Sequence, residues 1–446
     1  MTGHAPGGGI PRRAGAPRVA VVSMDAVGHL NPMLAAVSAL TAHGRGPRVR
    51  VYGSAGTGAL FRATGAEFEA LRPPPAPART QTASGPSHLA VRSFLAPQEG
   101  LASLVEAVAG FRPDAVVHDV FDLRGAVLAA AFGIPRASLI GFAGLRALGG
   151  EFVEEHSGLH PSLLAANDRL LRDFHLDVLG DDVCLPVLYP SRRLSIVTAV
   201  EEQSPPPGGT AGERRLGATE AALGPALRWL GPFLGDVHWG SAATGELTCA
   251  APRRRPAGPL TVLFSLGTNI ATFRRGSSMG GAASGHAFVE AAVGLLLSAF
   301  GGDDRYRLLV ATGGWAPPAG AVWPGNAVVA EVLPQRRLLA DAADVFITHH
   351  GYNSTVEAVA HAVPMVAFPG YGDQIANAEH SVRRGVSVAR WDLRRPLATC
   401  DADALRDAVH TAASPTGPRL RLPALRRDLF TAGGAAAAAD LILDLV

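Results

Sequence analysis

At 446 residues the chain is longer than one hydrophobic core supports, so two domains are expected. Apolar residues make up 48% and charged residues 17%, with a formal net charge of +2, a globular balance that gives no electrostatic basis for a nucleic-acid partner. The three cysteines, Cys184, Cys249 and Cys400, lie far apart with no CxxC pair, which argues for a reducing compartment and against a structural zinc site.

Residues 1–17, MTGHAPGGGIPRRAGAP, read as a disordered tail, since they lack the apolar core of a signal peptide. No strongly apolar run of roughly 18 residues occurs, so the expectation is a soluble, cytoplasmic protein without stable membrane insertion. Arg18–Met24 (RVAVVSM) has the near-continuous β-branched character of a buried parallel strand. A loop with Gly28 follows, and Asn31-Pro32 reads as the cap and first residue of a helix running to about His43. A second strand at Arg48–Gly53 and a helix over 56–65 make a parallel strand–helix–strand unit, and hence a doubly wound α/β sheet. Residues 72–100 are rich in Pro, Ala, Ser and Thr and read as a long functional loop. The alternation resumes with a helix at Leu101–Phe111, a strand at Ala115–His118, a helix at Leu123–Phe132 and a strand at Ala137–Ile140. Residues 142–185 read as irregular amphipathic helix forming part of a substrate wall.

The Pro-, Gly-, Ala- and Arg-rich stretch 240–259 is the candidate linker. After it the alternation restarts with LTVLFSLG, a helix over 285–300, RLLVATGG, AVVAEVL, a helix over 335–342 and DVFITHH, then a helix from 353, PMVAFPG, a helix from 374, SVARW and a helix over 401–412. The boundaries are therefore a tail over 1–17, a first domain over 18–239, a linker over 240–259 and a second domain over 260–424. Residues 425–446 form a C-terminal helix expected to pack back on the first domain. Two sheets facing each other form a cleft at the carboxyl ends of their strands.

No GxGxxG follows the first strand, and neither GxxxxGK[ST] nor GxSxG occurs. His156 and His160 in HSGLH lack the glutamate of a zinc-protease helix and read as an ordinary surface or cleft pair. The richest constellation is 328–380, VVAEVLPQRRLLADAADVFITHHGYNSTVEAVAHAVPMVAFPGYGDQIANAEH. It resembles the donor-binding signature of the inverting nucleotide-sugar-dependent glycosyltransferases that include macrolide and plant natural-product glucosyltransferases. GHLNP at 28–32, RPDAVVHD at 112–119, GPFLGD at 231–236, SLGT at 265–268 and TGG at 312–314 match further motifs of that family in the right order. The resemblance covers nearly the whole chain and implies the GT-B fold, two facing doubly wound Rossmann-like domains. It implies an inverting, metal-independent hexosyltransferase that moves a sugar from UDP or dTDP to a hydroxyl of a small natural product. The nucleotide sugar is then a co-substrate, and no cofactor or metal is required.

The chemistry of the residues agrees. A nucleoside diphosphate leaves with growing negative charge, and ITHHGYNSTVEA supplies a strand end, a glycine turn and a helix N-terminus whose free N–H groups and dipole meet that charge. His349 can add a ring N–H, and Asn353 and Ser354 side-chain donors. Glu357, one turn beyond Asn353, can accept both ribose hydroxyls. By resemblance, Asp373 and Gln374 bind the donor sugar, Ser265, Gly267 and Thr268 line the phosphate and ribose side, and Leu333, Gln335 and Gly351 belong to the same donor set. Val332 stands where many relatives carry a tryptophan that stacks on the base.

The acceptor hydroxyl needs a base. His29, placed before the helix, has its neutral form favoured by the helix dipole, and Asp119 can fix its tautomer, with Asp122 and His118 as rivals to Asp119. The family pairs positions 29 and 119 in this way. Phe94, Phe142 and Leu145 are expected in a lipophilic acceptor pocket. His350 is expected either to pack in its own domain or to offer a second imidazole to the diphosphate. Two other readings are a nucleotide-sugar epimerase of the same fold, which has no need of a base at position 29, and a catalytically idle partner of another transferase, against which the His29 and Asp119 pair speaks.

Overall fold

A computed structural model of the chain describes residues 15–71, 87–206, 208–237, 258–273 and 282–446. Residues 1–14 of the expected tail (1–17), 72–86 of the expected loop (72–100) and 240–257 of the expected linker (240–259) lie outside the described residues.

The first sheet holds seven strands: β1 (Arg18–Val22), β2 (Arg48–Gly53), β3 (Glu67–Ala70), β4 (Ala115–Asp119), β5 (Arg136–Ile140), β6 (Ser195–Val197) and β7 (Leu227–Trp229). Their order is β3-β2-β1-β4-β5-β6-β7, and every pairing is parallel. The second sheet holds six: β8 (Leu260–Ser265), β9 (Tyr306–Ala311), β10 (Ala327–Ala330), β11 (Val345–Thr348), β12 (Met365–Ala367) and β13 (Ser387–Val388). Their order is β10-β9-β8-β11-β12-β13, again all parallel. Val19–Val22 and Val345–Ile347 are fully buried, as central strands covered on both faces must be. The chain order reverses between β1 and β4 in one sheet and between β8 and β11 in the other. Those two switch points, at the carboxyl ends of the strands, are where such sheets open a crevice.

Helix α1 spans Val27–Thr41, beginning five residues ahead of the expected start. Asn31 does not cap it; the extended Ala26 is the first flanking residue, and Pro32 lies inside. His29 therefore sits in the first turn rather than before it. The end of the chain forms two helices, Leu422–Phe430 and Gly434–Leu443. Leu422, Leu425 and Leu429 join the core beneath the second sheet. Ala438, Ala439, Ile442 and Leu443 instead pack with Leu30, Leu34 and Val37 of α1 in the first. Strands β3, β6 and β7 have no counterpart in the sequence reading. None of the described helices is long and apolar enough to cross a membrane.

Candidate active site

The loop after β1 turns directly into α1 and presents His29, while Asp119 ends the neighbouring β4. Pairing of Val22 with His118 across these strands brings the two side chains together. His29 Nδ1 lies 2.8 Å from Asp119 Oδ2, with the histidine side chain 19% exposed and the carboxylate 2%. The other carboxylate oxygen accepts from the Phe121 N–H at 2.9 Å, which fixes its rotamer. A proton on Nδ1 shared with Asp119 leaves the Nε2 lone pair of the neutral ring as the basic site. Burial opposes charging His29, but the charge and hydrogen bond of Asp119, helped by Asp373, outweigh it and raise the imidazole above its ordinary value. Phe121 and Phe142 approach the ring edge-on, at 5.2 and 6.4 Å between centroids.

The two rivals are engaged elsewhere. Asp122 is bonded to Arg124 and caps the helix Leu123–Phe132. His118 is fully buried, shares a hydrogen bond with the Asp119 carbonyl, and is pushed down to about 3 by burial and by Arg136.

On the second sheet, β11 leads through His349–Gly351 into the helix Tyr352–Ala360. His349 is 8% exposed and burial lowers it to about 4, so its ring is neutral at pH 7 and donates from one nitrogen. Its Nδ1 has no hydrogen-bond partner among the described residues. The ring fits because of two glycines: a Cβ would lie 2.6 Å from Nε2 at Gly267 and 2.3 Å at Gly351. Gly267 has in addition a positive φ of 70°. Asn353 donates across the cleft to the Gly28 carbonyl at 2.8 Å. Gln335 donates to Ser354 at 3.1 Å and to Glu357 at 2.7 Å. Burial raises Glu357 to about 7 despite the Gln335 bond and Arg336.

Asp373 opens the helix Asp373–Arg383 and accepts from Asn377 at 3.1 Å. Burial raises it to about 6, against the pull of His29 and Asn377. The Gln374 carbonyl oxygen accepts from the Gly370 and Tyr371 N–H groups, so its amide N–H pair is directed by a fixed loop.

Between the sheets lies one cleft of about 1650 Å³. His29, Ser265, Gly267, Thr268, Leu333, Gln335, His349, Gly351, Asn353, Ser354, Glu357, Asp373 and Gln374 line it, and Asp119 stands behind His29. The first-sheet wall carries an aromatic and apolar patch of Phe121, Phe142, Leu148 and Phe152, flanked by the charged Arg92, Arg146, Glu151 and Glu155. Phe94 and Leu145 do not line the cleft: both are wholly buried in the core behind that wall, because their segments fold inward as short turns. His350 is also fully buried, paired with Thr355 at 3.1 Å and Ser387 at 3.0 Å, in the left-handed region at φ 58°. It offers no imidazole to the cleft. His156 bonds Ser87, and His160 caps the helix Pro161–Phe174. Among the described residues no group of three or more His, Cys, Asp or Glu could hold a metal ion.

A family model described as "UDP-glucoronosyl and UDP-glucosyl transferase" matches residues 318–406. The oleandomycin glycosyltransferase of Streptomyces antibioticus is 34% identical over 147 residues, 32% of either chain. The gallate 1-beta-glucosyltransferase 84A23 of Punica granatum is 33% identical over 140 residues, 30% of this chain and 27% of its own. These matches thus span about a third or less of the relatives' lengths. The solved glycotransferase of kitacinnamycin superposes over 97% of this chain and 99% of its own, with a TM-score of 0.69 and 28% identity. The calicheamicin glycosyltransferase CalG4 shares the fold over 96% and 98%, with a TM-score of 0.66 and 22% identity.

The chain thus matches the glycosyltransferase family model over residues 318–406 and shares the GT-B fold of solved glycosyltransferases along nearly its whole length.

Val332 is a 40% exposed aliphatic side chain on the second-sheet side of the cleft. Three contributors escaped the sequence reading. Phe121 packs on His29, Tyr371 lines the cleft beside Asp373, and Asn377 ties Asp373 and the His350 carbonyl together. The spacing of Asp373 and Asn377, one helical turn apart, was the available signal for the last.

Proposed function

We propose that the chain is an inverting O-glycosyltransferase that transfers a sugar from a uridine or thymidine diphosphate sugar to a hydroxyl of a small lipophilic natural product. The observation that carries this reading is the His29–Asp119 pair facing, across one cleft, a helix N-terminus with a neutral histidine beside it. His29 Nε2 takes the acceptor proton while the acceptor oxygen forms its bond to the anomeric carbon. The bond from that carbon to the diphosphate oxygen breaks on the opposite face, and the nucleoside diphosphate leaves with the electron pair. Asp119 stabilises the imidazolium that appears, and the N–H groups at 352–354 with His349 stabilise the departing charge. Glu357 holds the ribose, and Asp373 with Gln374 the sugar hydroxyls. The aromatic wall around Phe142 favours an apolar acceptor. No step calls on a metal or cofactor, and the setting is the cytoplasm.

The same reading divides the chain into an acceptor domain (18–239), a linker (240–259) and a donor domain (260–424); of the expected returning segment 425–446, the helix Gly434–Leu443 packs on the acceptor domain while Leu425 and Leu429 stay in the donor-domain core. An epimerase would need no acceptor-facing base, and no observation favours one. The test is incubation with a panel of uridine and thymidine diphosphate sugars and polyketide or phenolic acceptors, with mass spectrometry and NMR of products. A glycoside of inverted anomeric configuration is expected. Free sugar epimers, or no turnover with any pair although the nucleotides bind, would contradict the proposal.

A further inference from the structure

Helix α1 carries Pro32 at its sixth position. Each helical carbonyl receives the N–H four residues on, and proline has none, so the Gly28 carbonyl loses its helical donor. That carbonyl is nevertheless bonded: Asn353 Nδ2, 325 residues away, donates to it at 2.8 Å. Asn353 is the second residue of the helix Tyr352–Ala360, whose N-terminus faces the cleft, and Gly28 directly precedes His29. The turn has neighbours from both sheets close by. A Cβ on Gly141 of the first sheet's wall would lie 3.5 Å from the Gly28 oxygen and 3.6 Å from Pro32 Cγ, while one on Gly28 would lie 3.9 Å from Asn269 Nδ2 of the second sheet.

We propose that Asn353 is a positioning residue, whose amide ties the turn bearing the base to the helix that receives the leaving group, through the carbonyl that Pro32 frees. This rests on the transferase reading of the cleft. His29 and the diphosphate site come from different sheets, and the Asn353 bond joins them at the residue next to the base. In-line transfer requires the base, the acceptor oxygen and the anomeric carbon to be registered within a fraction of an ångström, and misplacement by about 1 Å can cost two orders of magnitude in rate. An amide is suited to the task because its N–H meets a carbonyl; an aspartate of the same shape would set a carboxylate against it.

The test compares wild type, Asn353→Ala and Asn353→Asp. Calorimetry reads UDP and dTDP affinity, steady-state kinetics read kcat against pH, and hydrogen–deuterium exchange reads residues 26–31. Both variants are expected to bind the diphosphates within about threefold of wild type and to lose at least about tenfold in kcat, Asp more than Ala. The acid limb of the pH profile should stay in place, since Asp119 still holds His29, and exchange over 26–31 should accelerate. A loss confined to diphosphate affinity with kcat unchanged would make Asn353 a phosphate ligand only and overturn the proposal, as would unchanged exchange over 26–31. Wild type that transfers no sugar would refute the transferase reading instead, and the exchange experiment would then decide alone whether the clasp exists.

Discussion

His29 and Asp119 illustrate how one hydrogen bond sets a working pH. The imidazole is raised above its ordinary value mainly because Asp119 outweighs burial, so the neutral, basic form grows in as pH rises through that raised value. Transfer should therefore show an acid limb above about 6.5, the reference for histidine. Asp119→Asn removes the charge that stabilises the imidazolium, so the limb should move to lower pH while the plateau rate falls by two orders or more. A limb that stays put in pH–rate profiles would assign it to another group. Glu357 carries the opposite sign. Burial raises it to about 7, and the ribose hydroxyls that the proposed function sets against it would favour its ionised form, so that binding would expel a proton. Nucleoside diphosphate affinity should rise from pH 6 to 8 and level off above it, by calorimetry, and Glu357→Gln should lose that slope and about 1.5–3 kcal/mol of binding at pH 8. His350, held near 3 by burial and by His349, stays neutral across the same range. His350→Gly should leave the pH profile of binding superimposable on wild type. It should also lower thermal stability, because Thr355 and Ser387 lose their partner, with part of the loss offset by relief at φ 58°.

At the scale of elements, the site is a set of strand ends and helix starts, and glycines give them room. Gly351→Ala keeps an allowed backbone but places a methyl 2.3 Å from His349 Nε2, so the ring must turn away. Diphosphate affinity should fall by at least about tenfold by calorimetry, the size of one charge-assisted hydrogen bond, while circular dichroism stays that of wild type. Unchanged affinity would place His349 outside the diphosphate site. Most of these elements were legible in the sequence because buried parallel strands announce themselves as apolar β-branched runs, as at Arg18–Val22 and Val345–Thr348. The short edge strand β3 (EFEA) and the strands β6 and β7 were not, for they are too short and too mixed to show a period. The start of α1 misled because Asn31-Pro32 has the composition of a helix cap, whereas Pro32 lies inside the helix and its cost is met by a contact from the other sheet. Phe94 and Leu145 misled for a related reason: apolar residues in a loop that borders a pocket pack just as readily behind its wall.

At the scale of the molecule, two parallel sheets bring their switch points to one cleft, and neither carries the chemistry alone. The proposed base and its carboxylate belong to the first sheet, the proposed leaving-group and ribose contacts to the second, and Asn353 and Tyr352 bridge them through Gly28 and Gln203. Each half was readable from motifs in its own stretch of chain; the bridging bonds were not, because nothing local to residue 28 points to residue 353. The measurement that tests this division of labour most directly is a paired comparison of wild type and His29→Ala, reading donor affinity by calorimetry and transfer rate under saturating donor. In the proposed mechanism His29 acts only on the acceptor, so affinity should change by under about 1 kcal/mol while the rate falls by two orders or more. Undiminished transfer in the variant, or donor binding lost together with the rate, would contradict the account.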